Sequence, residues 1–151
     1  MNQYKFIQRM LLLVFFALPL AVFAGQYPQA LMDAVAAAKK ATPAVTLEQL
    51  KAAIDDPAIW IIDVREPEEY AAGHIRSAIN IPRGVIEFRI WENAGHPGKT
   101  NMDQVMYLYC KAGGRCALAA RALKDLGFTE VYRTDLKLDE WVKAGNALVK
   151  D

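Results

Sequence analysis

Residues 105–126 read VMYLYCKAGGRCALAARALKDL, an apolar run followed by a glycine-containing turn and an amphipathic segment. The apolar run Val105–Tyr109 predicts a buried strand. Cys110 follows it, and after a short turn an amphipathic helix is predicted from about Arg115 to Leu126, with Gly127 as its C-terminal stop. A buried strand that leads through a tight turn into a helix is the building unit of parallel α/β sheets.

The same alternation extends along the rest of the chain. Further strands are predicted at Ile59–Val64, Ala78–Ile81 and Glu130–Arg133. Further helices are predicted at Gln29–Lys40, Leu47–Ile54, Pro67–Ala72, Arg83–Asn93 and Leu136–Ala144. The first of these helices has a narrow apolar stripe, which predicts loose packing on the domain. Alternating strands and helices predict a parallel sheet with helices on both faces, whose functional crevice lies at the carboxyl ends of the strands.

Composition narrows the function classes. The chain has 151 residues, of which 54% are hydrophobic and 23% charged. A single domain with a hydrophobic core is therefore expected, and a disordered chain is excluded. A formal net charge of +1 gives no reason to expect nucleic-acid binding. The 2 cysteines are too few for a disulfide framework or a four-cysteine metal site.

The N-terminus has the layout of a secretory signal peptide. Lys5 and Arg9 precede the charge-free apolar run Met10–Phe23, and Val22 and Ala24 place small residues at positions −3 and −1 of a cut. As a helix this run would measure about 21 Å, short of a hydrocarbon core of about 30 Å. An uncleaved membrane anchor remains the alternative.

The predicted organisation follows from that cut. Residues 1–24 are the signal peptide, 25–44 a helical extension and 45–151 the folded domain. We expect a periplasmic or secreted protein with no stable membrane insertion after cleavage. Loss of the two basic residues of the signal peptide changes the net charge to −1, so any anion binding must be local.

The loop after the strand at Val105–Tyr109 indicates reactive chemistry. Gly113 and Gly114 permit positive φ, and the amide groups of such a turn form an anion-binding nest at the start of a helix. A nest around Cys110 would lower the pKa of its thiol and favour the nucleophilic thiolate. Lys111 and Arg115 add positive charge, which suits an anionic substrate. The alternative is a packing cysteine, since cysteines at strand ends are commonly buried.

Three segments together resemble single-domain rhodanese-like sulfurtransferases, over about residues 45–147. They are Asp63–Tyr70 (DVREPEEY) with Gly73-His74-Ile75 and Ala78–Pro82, then Tyr109–Arg115 (YCKAGGR), and finally Trp141 with Ala144-Gly145. The resemblance implies a parallel α/β sheet of about five strands. It also implies that Cys110 takes sulfane sulfur from a donor such as thiosulfate, becomes a persulfide and passes the sulfur to a thiol or cyanide acceptor, with no cofactor.

The resemblance also assigns roles within the loop. The backbone amides of Lys111, Ala112, Gly113, Gly114 and Arg115 would stabilise the persulfide. Arg115, together with Lys111, would hold the anionic end of the donor. The spacing C-x4-R favours sulfur transfer over the longer C-x5-R loop of related phosphatases. A persulfide carrier or a thiol-redox partner protein that uses Cys110 and Cys116 is the alternative function, and a binding module without catalysis is a further one.

The remaining site residues lie around this loop. Cys116 stands where the family often has Ser, and it is interpreted either as a resolving thiol for Cys110 or as a small buried side chain. Asp63, Arg65 and His74 are expected to be structural, with Arg65 paired to Glu69 or a nearby acid. With 2 histidines and no spaced partner ligands, no metal site is expected.

Overall fold

Five parallel strands form the central sheet of the computed structural model, which describes residues 27–150. The strands are β1 (Ala44–Val45), β2 (Ile59–Asp63), β3 (Ala78–Asn80), β4 (Val105–Tyr109) and β5 (Val131–Thr134), in the spatial order β1-β5-β4-β2-β3. The helices are α1 (Gln29–Ala41), α2 (Leu47–Ala53), α3 (Pro67–Ala72), α4 (Ile86–Asn93), α5 (Gly114–Asp125) and α6 (Leu138–Lys143), and a 3₁₀ turn (Arg83–Val85) precedes α4. The predicted α/β fold with helices on both faces is confirmed.

The strand residues alternate between two cores. Ile62 and Leu108 are fully buried in the core that α4 and α5 cover, whereas Ile61 and Tyr109 are buried with α2 and α6 on the opposite face. Trp141 anchors the second core and is 2% exposed. Full burial of one such apolar side chain stabilises the fold by about 1.5–3 kcal/mol, so β2 and β4 are firmly held and their ends are well-defined supports.

The strands of the sheet end at one level. Asp63 is opposite both Asn80 of β3 and Tyr109 of β4, and beyond the last strand residues the Val64 amide donates to the Tyr109 carbonyl at 3.0 Å. The chain segments that follow β2, β3 and β4 therefore emerge side by side. Cys110 is the first residue after β4 and so lies at this carboxyl edge, where parallel α/β sheets place their functional crevice.

The N-terminal part of the described chain joins the sheet and the helix layer. β1 was not predicted, because its two residues are too few to show a strand period; they pair with Arg133 and Thr134 of β5. The expectation of loose packing does not hold throughout α1, since Ala38 is fully buried and Val35 faces Gly114 at the start of α5. Helix α1 thereby reaches the loop that follows β4.

The predicted signal peptide, residues 1–24, lies outside the described residues. Within residues 27–150 no helix has the length and apolar character needed to cross a bilayer.

Candidate active site

Backbone amides surround the sulfur of Cys110. Gly113 adopts φ +83°, a left-handed conformation that glycine accepts without strain, and its N–H donates to Cys110 Sγ at 3.1 Å. The amides of Ala112 and Cys116 also stabilise this sulfur as a thiolate. The anion-binding nest predicted from the sequence is therefore present. The nest includes the amide of Cys116, one residue further into α5 than expected. Gly114 is the first residue of α5, and its φ is not positive.

This environment lowers the pKa of Cys110 to about 5. The largest cause is a hydrogen bond from the thiol of Cys116, and the backbone amides add to it, while burial opposes the effect. The sulfur lies at the N-terminal end of α5, where the helix dipole also favours negative charge. Cys110 is consequently a thiolate at neutral pH, which is the nucleophilic form of cysteine.

Cys116 is placed to act as a hydrogen-bond donor. Its side chain is fully buried, and its Sγ lies 3.3 Å from the carbonyl oxygens of both Gly113 and Thr134. The negative sulfur of Cys110 and the burial together raise the pKa of Cys116, so this thiol keeps its proton. Neither cysteine takes part in a disulfide in this structure. A role for Cys116 as resolving thiol stays a prediction.

Arg115 forms an ion pair that the sequence did not predict. Its guanidinium donates to both carboxylate oxygens of Glu69, at 2.6 and 2.9 Å, and Glu66 lies 4.0 Å away. Hydrogen bonds from Arg115 lower the pKa of Glu69 to about 2, against the effect of burial. The positive charge that was expected to hold a donor anion is therefore largely neutralised by an acid 46 residues away, for which the sequence gives no local signal.

Lys111 and Ala112 form the exposed part of the loop. The Lys111 carbonyl accepts a hydrogen bond from the Leu138 amide at 3.0 Å, which fixes the loop to the start of α6. Lys111 is exposed to solvent, and its role in binding a donor anion stays a prediction.

Asp63, Arg65 and His74 form contacts that connect the end of β2, the end of α3 and the C-terminal segment. Arg65 is buried and pairs with the fully buried Asp63. Of the partners expected for Arg65, Glu69 or a nearby acid, the structure therefore selects the nearby acid, Asp63. Its Nη2 also donates to the Gly73 carbonyl at 2.8 Å, which ties the end of β2 to the end of α3. His74 stacks on Tyr70 with ring centroids 3.7 Å apart and forms a backbone bridge with Val149. These contacts are structural in kind.

No group of three or more His, Cys, Asp and Glu side chains in the part of the chain that the structure describes could hold a metal ion.

A parallel α/β sheet with a cysteine thiolate cradled at the start of the helix after its central strand defines a class of thiol-dependent α/β domains. Comparison with protein families places the chain more narrowly: residues 46–144 match the model of the rhodanese-like domain. The chain therefore belongs to the rhodanese-like domain family, as the sequence motifs indicated.

Individual relatives agree with this membership. A Bacillus subtilis (strain 168) protein described as "putative sulfur carrier protein YrkF" is 35% identical over 100 residues, which is 66% of this chain and 50% of that protein. A second protein of the same organism, YqhL, is 36% identical over 54% of this chain and 59% of its own length. The chain thus spans about half the length of the curated relatives it matches.

Among solved structures, the human single-domain sulfurtransferase TSTD1 superposes with a TM-score of 0.58 and 26% identity, covering 68% of this chain and 96% of that one.

Proposed function

We propose that this protein is a sulfurtransferase that moves sulfane sulfur from thiosulfate or a similar anionic donor to a thiol or cyanide through a persulfide on Cys110. The observation that carries the proposal is the Cys110 sulfur, held by the Gly113 amide at 3.1 Å and with its pKa lowered to about 5. Membership of the rhodanese-like family and the fold shared with a human sulfurtransferase support it.

The reaction has two displacement steps. In the first, the Cys110 thiolate attacks the sulfane sulfur of thiosulfate, a new S–S bond forms, the old S–S bond breaks and sulfite leaves with the bonding electron pair. In the second, cyanide or a thiolate attacks the outer sulfur of the persulfide, and Cys110 leaves as thiolate. The amides of Ala112, Gly113 and Cys116 face the sulfur that bears negative charge at the start and at the end of the cycle.

Loading with thiosulfate tests this function directly. Intact-mass spectrometry of thiosulfate-treated protein should show one added sulfur, removed again by cyanide. Cys110→Ala should show none, and Cys116→Ala should still load, because Cys116 is not the acceptor. Absence of added sulfur on the wild-type protein, with thiosulfate and with 3-mercaptopyruvate, would contradict the proposal.

A persulfide carrier is the second candidate function. The relative described as a putative sulfur carrier is 35% identical over 100 residues, and this similarity supports the carrier. Steady-state assays separate the two: rapid turnover with cyanide and small thiols supports the enzyme. Slow turnover by protein that loads fully with sulfur supports the carrier.

The proposed site of action is outside the cytoplasm. Support comes from the sequence of residues 1–24, with its basic start, short apolar run and small residues before the predicted cut. In such a compartment a free thiolate is exposed to oxidants, and a resolving role for Cys116 would then protect Cys110 by forming a reversible disulfide.

A further inference from the structure

Lys39 of helix α1 lies beside the loop of residues 110–115 that follows β4. A methyl group built on Gly113 would lie 3.6 Å from Lys39 Nζ, and the Gly113 amide is the group that donates to Cys110 Sγ. Lys39 is the third residue from the C-terminal end of α1. It lies in the segment that precedes the domain matched by the family model. Its ammonium group therefore stands next to the amide nest although it is far from the loop in sequence.

The position of Lys39 is fixed by several contacts. Its Nζ pairs with Asp135 Oδ1 at 2.7 Å, and its backbone carbonyl accepts from Arg133 Nη2 at 3.1 Å. Asp135 also pairs with Arg133 through its second oxygen. Two cations thus share one carboxylate, which leaves a net positive charge beside Gly113. The Lys39 side chain is 37% exposed, so an incoming anion can reach it.

Arg115 does not offer the same free charge. Both oxygens of Glu69 occupy its guanidinium, and Glu66 is a further acid close to it. A donor such as thiosulfate or a thiosulfonate brings its sulfane sulfur to Cys110, together with an anionic group that needs a cationic partner. The cluster of Lys39, Arg133 and Asp135 supplies one beside Gly113.

We infer that Lys39 binds the anionic end of the sulfur donor and selects donors that carry a negative charge, so that helix α1 completes the active site. This inference rests on the proposed function of Cys110. Lys39 acts as a donor-binding residue, while the displacement at sulfur remains with Cys110. The substrate class is a small sulfane-sulfur donor with an oxyanion end.

Donor kinetics test the inference. Lys39→Met should raise the KM for thiosulfate about three- to tenfold with little change in kcat, because a half-exposed charge-assisted hydrogen bond is lost. Lys39→Arg should retain most of the affinity. Lys40→Met, which removes the same charge from the next residue of the helix, should leave KM unchanged.

Asp135→Asn separates substrate binding from a structural ion pair. If Lys39 binds the donor, freeing it from Asp135 should leave KM unchanged or lower it. If Lys39 only anchors the helix, Asp135→Asn should raise KM as Lys39→Met does, and that result would overturn the inference. An unchanged KM in Lys39→Met would overturn it as well.

A second measurement does not depend on sulfur transfer. The ratio of Cys110 alkylation rates with iodoacetate and with iodoacetamide reports positive charge near the sulfur, because only the first reagent is anionic and both need the thiolate. Lys39→Met should lower this ratio at least twofold, and Lys40→Met should not. If the wild type transfers no sulfur but Lys39→Met still lowers the ratio, the proposed function is refuted and the cation beside Cys110 is retained. If the wild type is active but the ratio is unchanged in Lys39→Met, only the role of Lys39 is refuted.

Discussion

At the scale of single residues, the proton on Cys116 matters as much as the absence of one on Cys110. Both side chains are buried, and the two sulfurs shift each other's pKa in opposite directions. Such a pair holds one negative charge, on the sulfur that faces the amide nest. Cys116 is therefore a positioning residue for the thiolate, at the place where a hydroxyl would do similar work.

Replacing Cys116 should move the titration of Cys110. In Cys116→Ala the thiol hydrogen bond is lost, so the pKa of Cys110 should rise by about one pH unit or more from its value of about 5. The rate of alkylation by iodoacetamide, followed from pH 4 to 9, should rise through this higher pKa. Cys116→Ser, which restores a donor, should titrate closer to wild type, and identical profiles for all three proteins would contradict this role.

Gly113 and Gly114 should respond in opposite ways to alanine. Gly113→Ala places a side chain at φ +83°, which costs about 1–2 kcal/mol, and its new methyl group would meet only ordinary contacts. Gly114→Ala lies in the helix, where alanine is favoured by up to about 1 kcal/mol, and its methyl group would contact Val35 at 3.8 Å. Chemical denaturation should show the first variant destabilised and the second neutral or stabilised. Equal losses in both would contradict the backbone assignment.

At the scale of elements, one ion pair links α3 to the start of α5. Glu69 and Arg115 are each about one third exposed at 34%, so water screens the pair and Glu69→Gln should cost only about 0.5–1 kcal/mol at pH 7. The folded-state pKa of Glu69 is lowered to about 2, so its contribution is complete above the unfolded pKa of about 4.3 and is lost as the pH falls towards 2.

The difference in unfolding free energy between wild type and Glu69→Gln should therefore be constant from pH 7 to about pH 5, shrink as the pH falls towards 2 and vanish only below pH 2. Urea denaturation at several pH values measures it. Glu68→Gln, an exposed neighbour on the same helix, is the matched control and should show no such dependence. A difference that stays constant from pH 5 down to pH 2 would mean that the glutamine disturbs packing instead of charge.

An element or residue could be predicted from the sequence where its signal lies in neighbouring residues. Strands β2 and β4 were predictable because five consecutive residues in each are apolar or buried, whereas β1 has two residues and no period to detect. Cys110 and its nest followed from local residues. The partners of the loop did not, because Glu69 meets Arg115 and Lys39 meets Asp135 only after the sheet has brought distant segments to one edge.

At the scale of the whole molecule, helices from both ends of the described chain lie against the loop that holds Cys110. Helix α1 contributes Val35 and Lys39 beside the loop, while α6 holds the loop through the Leu138 amide. Helix α1, which lies in the segment predicted as an extension, thus supplies part of the environment of the Cys110 loop.

Export should produce a mature protein that begins at Gly25. When the full chain is expressed in a Gram-negative bacterium, the periplasmic fraction should contain protein whose intact mass corresponds to 25–151, because the apolar run Met10–Phe23 is long enough for a signal peptide and short for a membrane span. Leu13→Arg, which interrupts that run, should leave uncleaved protein in the cytoplasm, whereas Lys5→Arg, which keeps the basic start, should not. Full-length protein in the membrane fraction would instead identify residues 1–24 as an uncleaved anchor.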